Sequence, residues 1–306
     1  MRTPEPNFSV DVDVANPGQF FACCGLLELA HRLWPGAEGW FCANDSVFAI
    51  VAAANMPAPL NHLISGLSKS SISALSEAQR QEMKELEDER RSVRAQGQQL
   101  PPEKETRLQK LGTEARKGRI LLGQPFDLIL SWWQTSDDDP ASPKTWAGRQ
   151  ELHKIARAAQ DALPTSGDLR ELFDHACVLR KPKEYASGNR QHDDAVEPFY
   201  FDARRFAHPL DAGFSLDEQD AETVARPAVE LLSLIGLQRF RPASPAKLFF
   251  DYWTWRQPLS APVAAGVACG AVPISARQRY RFRLRFRDDQ KRYKAFGYAT
   301  QIGGDE

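Results

Sequence analysis

The chain has few cysteines and no CxxC pair. Cys23, Cys24, Cys42, Cys177 and Cys269 are an odd set of five. That argues against a disulfide framework or a zinc site and fits free, mostly buried thiols in a reducing cytosol. The six histidines are scattered, none at metal-ligand spacing from a cysteine. Long hydrophobic runs are missing too. Phe20 to Ala30, broken by Glu28, and Ala261 to Val272 are the longest, against the ~18 residues of a membrane span. Met1 to Pro6 has no apolar core, so no signal peptide is expected. No P-loop, GxGxxG or GxSxG motif occurs. Net charge is also scarce: 39 basic residues stand against 40 acidic ones, a formal −1. This excludes a chain that is basic all over and turns attention to how the charges are arranged.

What is present is ample core material. The chain has 306 residues, 42% of them hydrophobic, enough for one large domain or two ordinary ones. Phe8, Val10, Val12 and Val14 alternate with polar residues, the period of a half-buried strand. Asn16 and Pro17 then suit the cap and first position of a helix, Phe20 to Trp34, apolar almost all round and hence deeply buried. Trp40 to Ala52 reads as a strand or a hairpin turning at Asn44-Asp45. Ser76 to Gly118 is highly charged, with a capping box at Ser76 and Gln79. Leu86, Val93 and Leu100 recur every seven residues; Pro101-Pro102 breaks the run, and Leu108, Leu111 and Ala115 mark a second thin stripe. The pattern predicts a helical hairpin, either solvated or a docking arm.

Further on, the residues suggest a strand at Phe126 to Trp133 and a helix at Lys144 to Leu163 behind Ser142-Pro143. A short helix capped by Asp168 and Glu171 follows, and then a polar loop from Arg180 to Arg205. Asp211 to Glu222 holds five acids and no base. An apolar helix follows at Ala228 to Leu237, with Pro227 at its first turn, then an aromatic strand at Phe249 to Trp255. Gly and Pro punctuate Pro258 to Pro273. Strands and helices mix without regular alternation, so the expected class is α+β, with a mixed or antiparallel sheet. The expected organisation is a single domain over 1–306, with a helical-hairpin insertion at 60–122 and a basic β-hairpin at 277–300.

That last hairpin is the most informative stretch. Arg277, Arg279, Arg281, Arg283, Arg285 and Arg287 occupy alternate positions, with Tyr280, Phe282, Leu284 and Phe286 between them. In a strand, one face is then arginine and the other apolar. A two-residue turn at Asp288-Asp289 would pair Arg285 with Arg292 and Arg283 with Lys294, placing Phe296 and Tyr298 on the basic face. Arg277 to Lys294 holds nine bases and two acids. Neighbouring charges about 7 Å apart repel by roughly 0.6 kcal/mol in water. A polyphosphate backbone is the natural counterpart, since arginine forks bind phosphate and aromatic rings stack on bases. The alternatives are that acids elsewhere, such as Asp211 to Glu222, meet these arginines, or that they solvate an outer sheet face.

Catalytic constellations are weaker. His192-Asp193-Asp194, with Asp202, His208 and Asp211 after it, contains an HD pair in a loop-like stretch. Lys181 or Lys183 near Tyr185 could serve a metal-independent ribonuclease, in which a base and a cation flank a phosphate. A loop touching phosphate or water is the plainer reading. Cys23-Cys24 lies in an apolar helix, which favours packing over nucleophilic use. No metal or cofactor is expected.

Several segments together resemble one family: Asn16-Pro-Gly-Gln-Phe-Phe-Ala-Cys-Cys-Gly-Leu-Leu-Glu-Leu-Ala30, Lys144-Thr-Trp-Ala-Gly148, Ala225-Arg-Pro-Ala-Val-Glu-Leu-Leu-Ser-Leu-Ile-Gly-Leu237, Phe250-Asp-Tyr-Trp-Thr-Trp255 and the arginine hairpin. The set is similar to CRISPR-associated subunits of type I-G (formerly I-U) systems, regarded as the large-subunit-like part of the Cascade effector complex. The resemblance implies a cytoplasmic, non-catalytic subunit in antiviral defence. Its partners would be guide RNA, target DNA, other Cascade subunits and a recruited helicase-nuclease. Base pairing reads most of the sequence in such complexes, while protein reads backbone shape and the short flanking motif. Two rival readings are an endoribonuclease that processes guide RNA and a scaffold whose basic face binds an acidic protein.

Overall fold

Two apolar helices lying side by side organise the larger part of the chain. The computed structural model describes residues 4–52, 58–117, 119–131, 151–164, 168–181, 183, 194–205, 224–286 and 294–303. The fold is α+β, as expected, with helices and several antiparallel sheets. Contacts divide it into two compact units, Met1–Lys69 with Ile155–Glu306, and Ser70–Lys154. The sequence places its insertion at 60–122; α2, Pro59–Lys69 below, belongs to the first unit.

In the first unit, β1 (Phe8–Asp11) leads to α1 (Pro17–Leu33). Asn16 caps α1, its side chain accepting from the Gly18 N–H, with Pro17 at the first position. Every residue from Pro17 to Ala30 is buried, which is the outcome for a helix apolar all round. β2 (Glu38–Cys42) and β3 (Val47–Val51) form the hairpin expected there. Ala43, Asn44 and Asp45 all take positive φ in its turn. Helix α2 (Pro59–Lys69) follows, burying Leu60, Leu63, Ile64 and Leu67.

The second unit contains β4 (Ile72–Ser73), α3 (Glu77–Ala95), α4 (Pro102–Lys117), β5 (Ile120–Leu122) and β6 (Leu128–Leu130), with the three strands in the order β4-β5-β6. The capping box at Ser76 and Gln79 is formed. The seam of the α3–α4 hairpin is narrow: α3 buries no residue, while α4 buries Leu108 and Leu111. Ion pairs do the rest of the stitching. Arg107 grips Glu82 through two contacts of 2.7 Å, and Lys104 reaches Glu89 at 2.6 Å. The boundary between the units falls inside α5 (Leu152–Asp161), which covers the second half of the helix expected at 144–163. Residues 144–150 of that helix lie outside the described residues.

The first unit then continues. The helix expected after Asp168 is a single 3-10 turn, Leu169–Glu171. Leu169, Leu172 and Phe173 all bury at once, and the chain then pairs β7 (Cys177–Val178) with β8 (Val224–Ala225). Helix α6 (Pro227–Arg239) buries Pro227 to Leu237 without a break. It packs on α1: Ser233, midway along it, donates to the Gly18 carbonyl, and Arg239 at its C-terminal end pairs with Glu28. At their crossing, a Cβ on Gly25 would lie 2.1 Å from the Leu232 carbonyl oxygen, and one on Gly236 would lie 2.1 Å from that of Phe21. Only glycine permits that approach.

β9 (Ala243–Ala246), β10 (Phe249–Trp255), β11 (Leu259–Ser260), α7 (Ala261–Ala268), β12 (Arg277–Phe286), β13 (Lys294–Phe296) and β14 (Thr300–Ile302) complete the chain. One sheet has the order β1-β3-β2-β11. A five-stranded sheet has β13-β12-β10-β9, with β14 also on β12. Phe20 and Phe21 of α1 seat both sheets. Phe20 stacks on Tyr252 at 4.3 Å and on Phe41 at 5.5 Å, and Phe21 meets Phe282 at 6.3 Å. Helix α7 was not legible in the Gly- and Pro-punctuated stretch. Pro262 falls in its first turn, where a proline is tolerated.

Candidate nucleic-acid interface

β12 is a ten-residue strand, and its two faces are as different as the sequence requires. Tyr280, Phe282 and Leu284 are buried, while Arg283 and Arg285 are exposed and Arg277, Arg279 and Arg281 half-buried. Five arginines therefore line one side of one strand.

The register of the hairpin differs from the one expected. Leu284 pairs with Phe296, Arg285 with Ala295 and Phe286 with Lys294. An odd shift of a strand exchanges its faces. Phe296 is thereby fully buried and not on the basic face; it packs on Phe282 at 4.8 Å and Phe201 at 5.1 Å. Burying this ring sets the register, because the two-residue turn would have turned it to solvent. Lys294 moves with it, to the side of Phe286. Tyr298 is exposed but lies between β13 and β14, where burial, then Asp13 and Asp202, raise its hydroxyl pKa. The strand pairings do not set it directly opposite an arginine of the row. Arg287, Arg292 and the Asp288-Asp289 turn lie outside the described residues.

The neighbouring strand supplies what the sequence reading missed. β10 pairs with β12 so that Phe249, Asp251 and Trp253 stand opposite Arg283, Arg281 and Arg279. Asp251 is only 1% exposed and takes both central arginines. Arg279 donates from Nε at 3.0 Å and from Nη2 at 2.6 Å, both to Oδ2. Arg281 donates from Nε to Oδ1 at 2.7 Å and from Nη2 to Oδ2 at 2.9 Å. Burial alone would raise the Asp251 carboxyl, but the hydrogen bonds from Arg281 and Arg279 outweigh it and hold the pKa below its ordinary value. The signal was there: Asp251 is the one acid in an aromatic strand, Phe-Phe-Asp-Tyr-Trp-Thr-Trp.

Aromatic rings carry the outer arginines. The guanidinium carbons of Arg277 and Arg279 lie 5.8 and 5.3 Å from the Trp253 ring, and that of Arg283 lies 5.6 Å from Phe249. These are cation–π distances. Across the other edge of β12, Ala295, Thr300 and Ile302 stand opposite Arg285, Arg281 and Arg279. Among the described residues paired with the row, Asp251 is the one acid. An acid from elsewhere in the fold thus does meet two of the arginines; Asp211 to Glu222 lies outside the described residues.

The other candidates separate. Cys23 and Cys24 are fully buried, which pushes both thiols well up, so neither supplies a thiolate. Asp202 is buried and held by Asn16 at 2.7 Å and Arg204 at 3.0 Å. That is a structural tie at the start of α1. Lys181 and Lys183 are described; Tyr185, His192, Asp193, His208 and Asp211 are not. Among the described residues no cluster of three His, Cys, Asp or Glu could hold a metal ion, and no helix is long and apolar enough to cross a membrane. No family model, no curated protein and no solved structure matches this chain.

Proposed function

We propose that the outer face of the five-stranded sheet binds a nucleic-acid backbone, as part of a non-catalytic subunit of an RNA-guided, CRISPR-type effector complex. The observation that carries the binding reading is the row Arg277, Arg279, Arg281, Arg283 and Arg285 on one strand face, with a single carboxylate among its described strand partners. Arginine is the side chain whose planar fork matches phosphate. The effector assignment rests on the resemblance of the segments at 16–30, 144–148, 225–237 and 250–255 together with the arginine hairpin. Guide RNA and target DNA are the partners it names, with neighbouring subunits and a helicase-nuclease beside them.

The test is charge reversal at the three arginines that do not touch Asp251. The variant R277E/R283E/R285E leaves the buried carboxylate paired, so its circular dichroism spectrum should match wild type. Its affinity for guide RNA and target-strand oligonucleotides should fall by at least a hundredfold, about 3 kcal/mol over three contacts. Unchanged affinity in a folded variant removes this face from the interface.

A further inference from the structure

Asp251 has two opposite effects on the arginine row. It cancels one positive charge, and it fixes two guanidinium groups in one geometry through four contacts of 2.6 to 3.0 Å. The rest of the row is braced as well. Trp253 lies under Arg277 and Arg279, and Phe249 lies beside Arg283. Arg285 crosses Gly297 so closely that a Cβ there would be 2.7 Å from its Nε. Each of the five arginines therefore has a support on the sheet. Trp253 is itself seated against Gly270, where a Cβ would meet its ring at 2.7 Å. These rings serve the arginines, which differs from the base-stacking role expected for aromatic neighbours.

Bracing a long side chain removes in advance the freedom it would otherwise lose on binding. A face that only needed positive potential would gain nothing from this and would lose charge to Asp251. The spacing narrows the ligand further. Alternate residues of a strand stand about 6.8 Å apart at the backbone. Arg279 and Arg281, whose Nη2 atoms share Asp251 Oδ2 at 2.6 and 2.9 Å, are drawn closer together than that at their tips. Successive phosphates of a duplex strand wind around the helix axis, by about 140° over four steps at 10 to 10.5 base pairs per turn. A straight row of five can follow consecutive phosphates only where the strand is extended.

We infer that the row is a preorganised comb for the phosphates of one extended, single polynucleotide strand, with Asp251, Trp253 and Phe249 as positioning residues that hold its teeth. This rests on the nucleic-acid reading above and adds the strandedness and the role of Asp251.

The experiment uses the full-length protein and fluorescence anisotropy with a mixed-sequence single strand of about 15 nucleotides and the duplex of the same length. Wild type should bind the single strand at least about tenfold more tightly than the duplex, because only the extended strand meets all five arginines. Asp251→Asn is near-isosteric and makes the face more positive by one charge. The comb predicts that it binds the single strand about three- to tenfold more weakly, whereas a face acting through charge alone would bind it more tightly. Arg279→Lys with Arg281→Lys keeps the charge and loses the side-on forks, so it should weaken binding similarly. It decides the matter if Asp251→Asn does not fold, as judged by its thermal melt. Equal or tighter binding by a folded Asp251→Asn, or equal affinity for duplex and single strand, overturns the comb while leaving the nucleic-acid reading intact. Wild type that binds no oligonucleotide overturns the nucleic-acid reading itself.

Discussion

At the scale of single residues, glycines mark the tightest constraints. Gly25 and Gly236 let α1 and α6 touch backbone to backbone. Alanine at either position would push into a carbonyl oxygen, and overpacking of this kind costs about 1–3 kcal/mol. Gly112, in α4, has nothing within 4 Å of its Cβ position. Alanine there should stabilise by roughly 0.5–1 kcal/mol, since glycine is a poor helix former. Urea unfolding of the three alanine variants checks both signs.

A second residue prediction concerns pH. Burial, then the charge and hydrogen bond of Asp45, push Tyr280 up to about 12. The folded state therefore holds this proton more tightly than the unfolded chain, whose tyrosine titrates near 10. Its contribution is complete below pH 10 and is lost as pH rises to about 12. Tyr280→Phe should flatten the fall in melting temperature over that window. An unchanged slope would show that Tyr280 does not titrate as described. Asp251 has the opposite sign: its carboxyl is held below its ordinary value, so its contribution is present at neutral pH and lost as pH falls through the lowered value.

Elements differ in how much of them the sequence reveals. The caps of α1 and α3 were legible because a side chain and its backbone partner lie within three residues. So was the alternation of β12, which depends on nothing outside the strand. Its register was not. That is decided by Phe296 packing on Phe282 across the hairpin and on Phe201, which is distant in the chain. Helix α7 escaped because its sequence, Ala-Pro-Val-Ala-Ala-Gly-Val-Ala, carries no polar face to set a helical period. The α3–α4 hairpin gives an element-scale prediction. Leu111 is fully buried in a seam that α3 hardly deepens. Leu111→Ala should cost about 2–5 kcal/mol by the usual transfer and cavity effects, read by urea unfolding.

For the whole molecule, a formal charge of −1 hides a strong separation. The arginine row was visible in the sequence, because alternation alone puts it on one face. Its supports were not, because Asp251, Trp253 and Phe249 belong to a strand whose pairing with β12 only the fold reveals. The site is thus half local pattern and half tertiary arrangement. Salt dependence probes it as a unit. A single strand releases about 0.7 counterion per phosphate contact. If five arginines each meet one phosphate, the logarithm of the binding constant should fall with the logarithm of salt at a slope of about −3.5. Wild-type titrations of the single strand across a range of salt concentrations measure this directly. A slope near −3.5 that becomes shallower in R277E/R283E/R285E is the predicted result. A slope near zero, or one that the variant leaves unchanged, would contradict the assignment of this face to a nucleic-acid backbone.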